Sequence, residues 1–278
     1  VRIEPPPAPE PLSTPVLDSH THLDLQHVGV AETLVAAAAV GVTRVVQVGI
    51  DVESSRWGAR AAADHPQLDA LVAVHPNEAP TLAGPGELAA ALAEIDSMAA
   101  LPQVRGVGET GLDHFRTGTD GWERQEYSFR AHIEIAKKHR KALVIHDRDA
   151  HADVLRVLGE EGPPDTVVFH CFSGDAELAK TCAEAGYVMS FAGNITFTKA
   201  GALREAAVLA PRELLLVETD GPFLTPMPYR GRPNAPYLVP LTVRYLADLR
   251  GEDLDDLCDE LWRTGERVFG PSRAADLV

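Results

Sequence analysis

At 278 residues, with 45% apolar and only 6% aromatic side chains, the chain suits one large α/β domain better than an all-β sandwich. A formal charge of −16 argues against a broad basic surface that grips nucleic acid through its phosphates alone. A few clustered arginines or bound divalent cations can still reverse the sign locally, so a phosphate substrate is not excluded.

Residues 1–15 are rich in proline and read as a disordered or polyproline II leader, leaving 16–278 as a single domain. Short, continuously apolar runs follow at 16–19, 44–50, 68–74, 104–108, 142–145, 166–169, 187–191 and 214–217. Helical segments alternate with them at 31–40, 53–64, 87–100, 122–139, 150–159, 177–185 and 199–209, with two more at 240–249 and 254–269. A long loop is expected between 108 and 122. Strands that are apolar throughout imply a parallel sheet covered on both faces, and eight βα units in this length predict a (β/α)8 TIM barrel.

The three cysteines, Cys171, Cys182 and Cys258, are widely spaced and include no Cys-x-x-Cys pair. This predicts neither a disulfide framework nor a zinc knuckle, and fits a reducing compartment. No apolar run reaches the ~18 residues of a membrane span, and no signal segment stands at the start. The expectation is a cytoplasmic monomer with no membrane contact and no obligate protein partner.

The unusual polar residues fall directly after the apolar runs, where a barrel builds its active site. In Asp18-Ser19-His20-Thr21-His22-Leu23-Asp24, alternation puts residues 18, 20 and 22 on one face. Glu109, His146, His170 and Asp220 follow the fourth, fifth, sixth and eighth strands. One such residue is ordinarily a satisfied polar group, but six at five strand ends would be costly without a cation to bind. Four imidazoles and two carboxylates suit two divalent ions sharing a carboxylate. Glu109 is the expected bridge, with His20, His22, Glu109 and Asp220 around one ion and Glu109, His146 and His170 around the other. The remaining histidines, His75 at the end of the third strand among them, are left outside the site. Gly106-Val107-Gly108-Glu109-Thr110-Gly111 matches G-x-G-x-x-G, but no helix opens there and Glu109 would repel phosphate, so no dinucleotide is expected.

These residues resemble the TatD-type metal-dependent deoxyribonucleases of the amidohydrolase superfamily. The likeness rests on residues 18–24, Val107-Gly108-Glu109-Thr110-Gly111-Leu112-Asp113 and Ile145-His146-Asp147-Arg148-Asp149-Ala150. It continues through His170-Cys171-Phe172-Ser173-Gly174, residues 218–226 and Arg230-Gly231-Arg232-Pro233-Asn234. The resemblance implies a TIM barrel, a two-metal site held by the six residues above, and hydrolysis of DNA phosphodiesters, 3′–5′ and exonuclease-like on single strands. The chain departs from the family pattern at Asn77 in His75-Pro76-Asn77, at His114 after Gly-Leu-Asp, and at Thr198 before Lys199. These lie around the ligands and bear on substrate preference.

The expected chemistry is attack on phosphorus by a metal-bound hydroxide, with Glu109 holding both ions and Asp220 orienting the water or taking its proton. Zinc, magnesium and manganese all remain open. Arg116, Arg148, Arg230, Arg232 and Lys199 are the expected phosphate-binding residues, because guanidinium and ammonium groups suit phosphate oxygens. Glu218, Asp18 and Asp113 are expected to support the ligands, Asp18 by fixing an imidazole tautomer. Cys171 reads as a small buried filler. An amidohydrolase acting on an ester, lactone or amide would use the same centre, and a non-catalytic metal-binding scaffold is the remaining rival.

Overall fold

A computed structural model describes residues 4–82 and 84–274 of the chain. Eight parallel strands run in chain order around a barrel: β1 (Val16–Thr21), β2 (Val42–Val48), β3 (Leu68–Val72), β4 (Val104–Asp113), β5 (Ala142–Arg148), β6 (Val167–Phe169), β7 (Val188–Phe191) and β8 (Leu215–Val217). Helices α1 (Val30–Ala38), α2 (Val52–Asp64), α3 (Pro85–Ala99), α4 (Trp122–His139), α5 (His151–Glu161), α6 (Ala176–Ala185) and α7 (Gly201–Leu209) cover the outside. Two more, α8 (Val239–Arg250) and α9 (Leu254–Phe269), complete the shell. The fold is a (β/α)8 TIM barrel. Leu17, Val46, Val48, Leu71, Val144, Val168, Val188 and Leu216 fill its interior, and a larger apolar layer lies between strands and helices.

Short polar links close the barrel between its first and last strands. Thr21 pairs with Gly221, and the Asp220 N–H donates to His20 O at 2.9 Å. Asp18, buried at the centre of this seam, accepts from the Thr219 N–H at 2.9 Å and the Thr219 hydroxyl at 2.6 Å.

Two expectations are corrected here. The fourth strand does not give way to a loop at 108: it continues to Asp113, with Thr110 to Asp113 paired against Ile145 to Arg148. Its glycines disguise it. A Cβ at Gly108 would lie 2.6 Å from Val144 Cβ, and one at Gly111, where φ is +136°, would lie 2.1 Å from His146 O. Strand β4 therefore needs glycine to sit this close to β5.

The Pro-rich segment is also not free. Residues 1–3 lie outside the described residues, but from Glu4 onward the chain lies against the barrel without forming a helix or strand. Leu12 is buried, and its N–H donates to Val40 O at 3.0 Å. Arg232 donates to the Glu4 and Pro5 carbonyls, Tyr237 to Pro6, and Arg244 to Glu10 and Pro11. Proline lacks an N–H but leaves its carbonyl free to accept, and the barrel supplies the donors.

Candidate metal centre

The carboxyl ends of the strands bring His20, His22, Glu109 and His170, all buried, together with the half-buried His146 and Asp220 into one cluster. Glu109, near the middle of β4, divides it. Its Oε1 lies 3.3 Å from His22 Nε2 and 3.6 Å from His20 Nε2. Its Oε2 lies 2.8 Å from His170 Nε2 and 3.2 Å from His146 Nδ1. Asp220 extends the first half, with Oδ1 at 3.5 Å from His22 Nε2. Asp220 sits in the left-handed region at φ 51°, its N–H anchored on His20 O.

Most of the imidazoles are held from behind. His22 Nδ1 donates to Val48 O at 3.0 Å, which leaves Nε2 facing Glu109 and Asp220. His170 Nδ1 donates to Glu218 at 3.2 Å, and the same Glu218 oxygen accepts the Cys171 N–H. His146 Nε2 donates to Asp113 Oδ2 at 3.2 Å. Asp113 is itself held by the N–H groups of Phe115 and Arg116 and by the Asn77 amide. A carboxylate or carbonyl behind an imidazole fixes its tautomer and raises its basicity as a ligand. His20 is different. It stacks on His170 with ring centroids 3.8 Å apart, and both of its nitrogens are buried without a hydrogen-bond partner.

Asp18 departs from its expected role. It touches no imidazole; its oxygens take Thr219 and the His20 backbone N–H, so it closes the barrel below the ligands. Burial pushes its carboxyl up to about 7, against those hydrogen bonds.

The electrostatics of the cluster are those of opposite charges forced together. Burial alone would neutralise Glu109, but the facing imidazoles, His170 and His146 among them, outweigh it and hold the carboxyl well below the usual range. Burial likewise opposes the charge on His22, yet Asp220 and Glu109 raise it to about 10. Burial and the neighbouring His170 push His20 the other way, toward the neutral imidazole.

This donor set fits divalent cations. Orphaned buried nitrogens on His20, an unpartnered Glu218 Oε2 and a carboxylate between imidazoles are groups that a cation would satisfy. Three subsets hold ligand atoms close enough to share an ion: His20 with His22 and Asp220, His20 with Glu109 and His170, and His75 with Glu109 and His146.

His75, left outside the site in the sequence, joins the cluster. Its ring lies 4.6 Å from that of His146, and its Nε2 is 3.6 Å from Glu109 Oε2. The signal was its place after an apolar run, the same rule that found the others. Its chemistry differs, however. The Asn77 N–H donates to His75 Nδ1 at 3.0 Å, so in the neutral ring the proton resides on Nε2. Burial keeps the ring neutral, pushing it down to about 3. His75 thus presents an N–H donor to the cluster rather than a lone pair.

The basic residues separate into two groups. Arg148, at the end of β5, lies with its guanidinium 4.0 Å above the exposed Phe115 ring, and Arg230 lies 4.3 Å above Phe197. Arg116 is exposed beside Asp113, and Lys199 lines a second cavity of about 530 Å³ with Phe197 and His151. These surround the mouth. Arg232 does not join them, because its guanidinium is spent on the Glu4 and Pro5 carbonyls. Cys171 is half-buried, and burial together with the nearby Asp220 and Glu218 pushes its thiol well above its usual range.

Comparison with known proteins finds relatives over most of the chain. A family model described as TatD related DNase matches residues 17–270. The chain is 48% identical over 263 residues to an uncharacterized metal-dependent hydrolase TatD of Mycobacterium tuberculosis, covering 92% of this chain and 98% of that protein. It is 31% identical to the uncharacterized metal-dependent hydrolase YabD of Bacillus subtilis, covering 91% and 98%. Among solved structures, the TatD homolog YJJV of Escherichia coli superposes with a TM-score of 0.85 at 25% identity, covering 92% of this chain and 98% of that one. A TatD family hydrolase of Entamoeba histolytica, at 17% identity and a TM-score of 0.80, shares the fold.

Proposed function

The chain belongs to the TatD family of metal-dependent hydrolases, and we propose that it cleaves phosphodiester bonds of DNA, working from a single-stranded end. The observation that carries this reading is the setting of two guanidinium–aromatic pairs, Arg148 with Phe115 and Arg230 with Phe197, around the mouth of a histidine–carboxylate centre. Stacked aromatic rings and cations together suit the bases and phosphates of a single strand. Anionic substrate is compatible with a chain of charge −16 because Arg116, Arg148, Arg230 and Lys199 stand around this mouth.

His20, His22, Glu109 and Asp220 would hold one divalent ion and Glu109, His146 and His170 a second. Bound there, such ions supply a nucleophilic hydroxide near neutral pH and a clamp on the phosphoryl oxygens. Asp220 takes the proton of the attacking water. Its carboxylate is kept ionised by His22 and His170 against burial, so it is a base and not an acid at neutral pH. His75 donates its Nε2–H to a phosphoryl oxygen as charge builds there. Glu218 and Asp113 keep His170 and His146 aimed, so the ligands need not reorganise during the reaction.

The test is a panel of substrates offered to the metal-loaded protein: end-labelled single-stranded DNA, duplex DNA, RNA, an aryl ester and a lactone. Release of mononucleotides from single-stranded DNA well above all other turnover is the expected result. Rapid ester or lactone hydrolysis with intact DNA would replace this reading with that of a carboxylic-ester hydrolase.

A further inference from the structure

The opposite end of the barrel carries a second concentration of positive charge that the hydrolytic centre does not use. A cavity of about 720 Å³ opens among the amino ends of β4, β5 and β6 and the end of α9. Arg105, Lys137, Arg140, Lys141 and Arg267 line it, five of the chain's 25 lysines and arginines, together with His139. Among the described residues the only carboxylate in its lining is Asp165. In a chain with 41 acidic residues, this is a local reversal of sign.

Basic residues in the last turn of a helix commonly complement its dipole, and this accounts for Lys137 and His139 at the end of α4. Both also have carboxylate partners, Glu134 and Asp96. Arg267 stands likewise in the last turn of α9. The other three cations, Arg105, Arg140 and Lys141, are not explained this way. Lys141 donates to the Val104 carbonyl and Arg267 to that of Glu213, so neither is paired with an acid. Arg140 is exposed, and its side chain has no partner among the described residues. Arg105 donates to Pro271 O, while its buried Nε finds no hydrogen-bond partner. The nearest carboxylate to that Nε, Asp69 at 3.5 Å, is already bonded to Arg44 at 2.7 Å and faces Arg273 at 3.4 Å. Three guanidinium groups therefore share one buried carboxylate. Consistent with this crowding, burial and then Arg105 hold the Lys141 ammonium below its ordinary range.

We propose that this cavity is a binding site for a small organic phosphate, a phosphate monoester whose phosphoryl group sits among Arg105, Arg140, Lys141 and Arg267. Guanidinium forks match phosphoryl oxygens, and a multiply charged anion would satisfy Lys141 and Arg267, which now face only backbone carbonyls, and Arg140, which faces no partner. Pro163, Pro164 and Phe269 provide an apolar wall for the organic part. The volume lies within the range of small-molecule pockets, roughly 300–1,000 Å³. Lying at the amino ends of the strands, the site is separate from the hydrolytic centre at their carboxyl ends.

Calorimetric titration of the metal-loaded full chain with AMP tests this, with adenosine and inorganic pyrophosphate as further probes. The Arg140→Glu/Arg267→Glu variant changes two exposed side chains and leaves the buried pairs intact. AMP should bind the parent at least tenfold more tightly than this variant, and adenosine should not bind the cavity. Hydrolysis of bis(p-nitrophenyl) phosphate without AMP should be equal in the two proteins. Pyrophosphate binding that is also lost in the variant supports the phosphoryl site and, if AMP is weaker, assigns it to inorganic anions. Equal AMP affinity in parent and variant would overturn the proposal, placing the anion at the hydrolytic centre alone; so would adenosine binding as tightly as AMP. Should the double variant fail to fold, Arg140→Ala, which removes an exposed and unpartnered side chain, must still weaken AMP binding severalfold.

Discussion

Asp18 on β1 and Thr219 beyond β8 are joined by two hydrogen bonds, of 2.9 and 2.6 Å, across the seam where the barrel closes. The seam also carries the site, since His20 lies two residues after Asp18 and Asp220 immediately follows Thr219. Replacing Asp18 by alanine strands a buried N–H and hydroxyl, a loss of about 2–4 kcal/mol. Chemical denaturation should show this loss. Metal titration should show weaker binding as well, because Asp220 is released with its neighbour. Unchanged affinity would mean that Asp220 is positioned without the seam.

Asp113 and His146 give a second test. The Asp113→Ala variant leaves His146 Nε2 without its acceptor and Asn77 without its anchor. Metal affinity should fall about 10–100-fold with the fold intact, as seen by circular dichroism. Asp113→Asn, which can turn its amide oxygen toward His146, should recover part of the loss.

His132 predicts a pH dependence of stability. Its Nε2 accepts the Val74 N–H at 3.1 Å, and its Nδ1 donates to Ser128 O at 2.7 Å, so the buried ring is neutral. Burial pushes it down to about 4 from an ordinary value of 6.5. Between these values the unfolded chain binds the proton and the folded one does not. The stabilisation is therefore complete above pH 6.5 and is lost progressively as the pH falls toward 4, on the order of 3 kcal/mol in all. Urea unfolding at pH 7, 6, 5 and 4 should show this slope, and the slope should shrink in His132→Phe.

The arginines should separate by kinetics. Arg148→Ala removes a cation from the mouth and should raise KM for single-stranded DNA severalfold with little change in kcat. Arg232→Ala should leave KM alone and lower Tm by a few degrees, since it releases the Glu4–Pro5 segment. A raised KM in the second variant would restore Arg232 to the substrate.

The cluster of His20, His22, Glu109, His146, His170 and Asp220 is legible because metal sites need ionisable side chains at strand ends, where a purely structural chain carries small residues. The eight strands were legible from their unbroken apolar runs. The end of β4 was not, because Gly108 and Gly111 look like a loop when what they do is admit β5 at close range. His75 obeys the same strand-end rule, but the Asn77 N–H that fixes its proton is visible only in the fold. Nor could spacing show that the proline-rich start is clasped by Arg232, Tyr237 and Arg244, since those partners lie over 200 residues away. Asp18 shows the limit of alternation: it gave the right face of β1, but not the choice of Thr219 over an imidazole.

The central claim is that Glu109, with one oxygen toward His20 and His22 and the other toward His146 and His170, holds the metals that hydrolyse DNA. The most direct measurement is release of mononucleotides from end-labelled single-stranded DNA by the chelator-stripped protein, with zinc, magnesium and manganese restored one at a time, beside Glu109→Gln. Expected are no turnover when stripped, recovery with at least one ion, and loss of about 10²-fold or more in Glu109→Gln under every condition. Full turnover by the stripped protein, or by Glu109→Gln with metal, would contradict it.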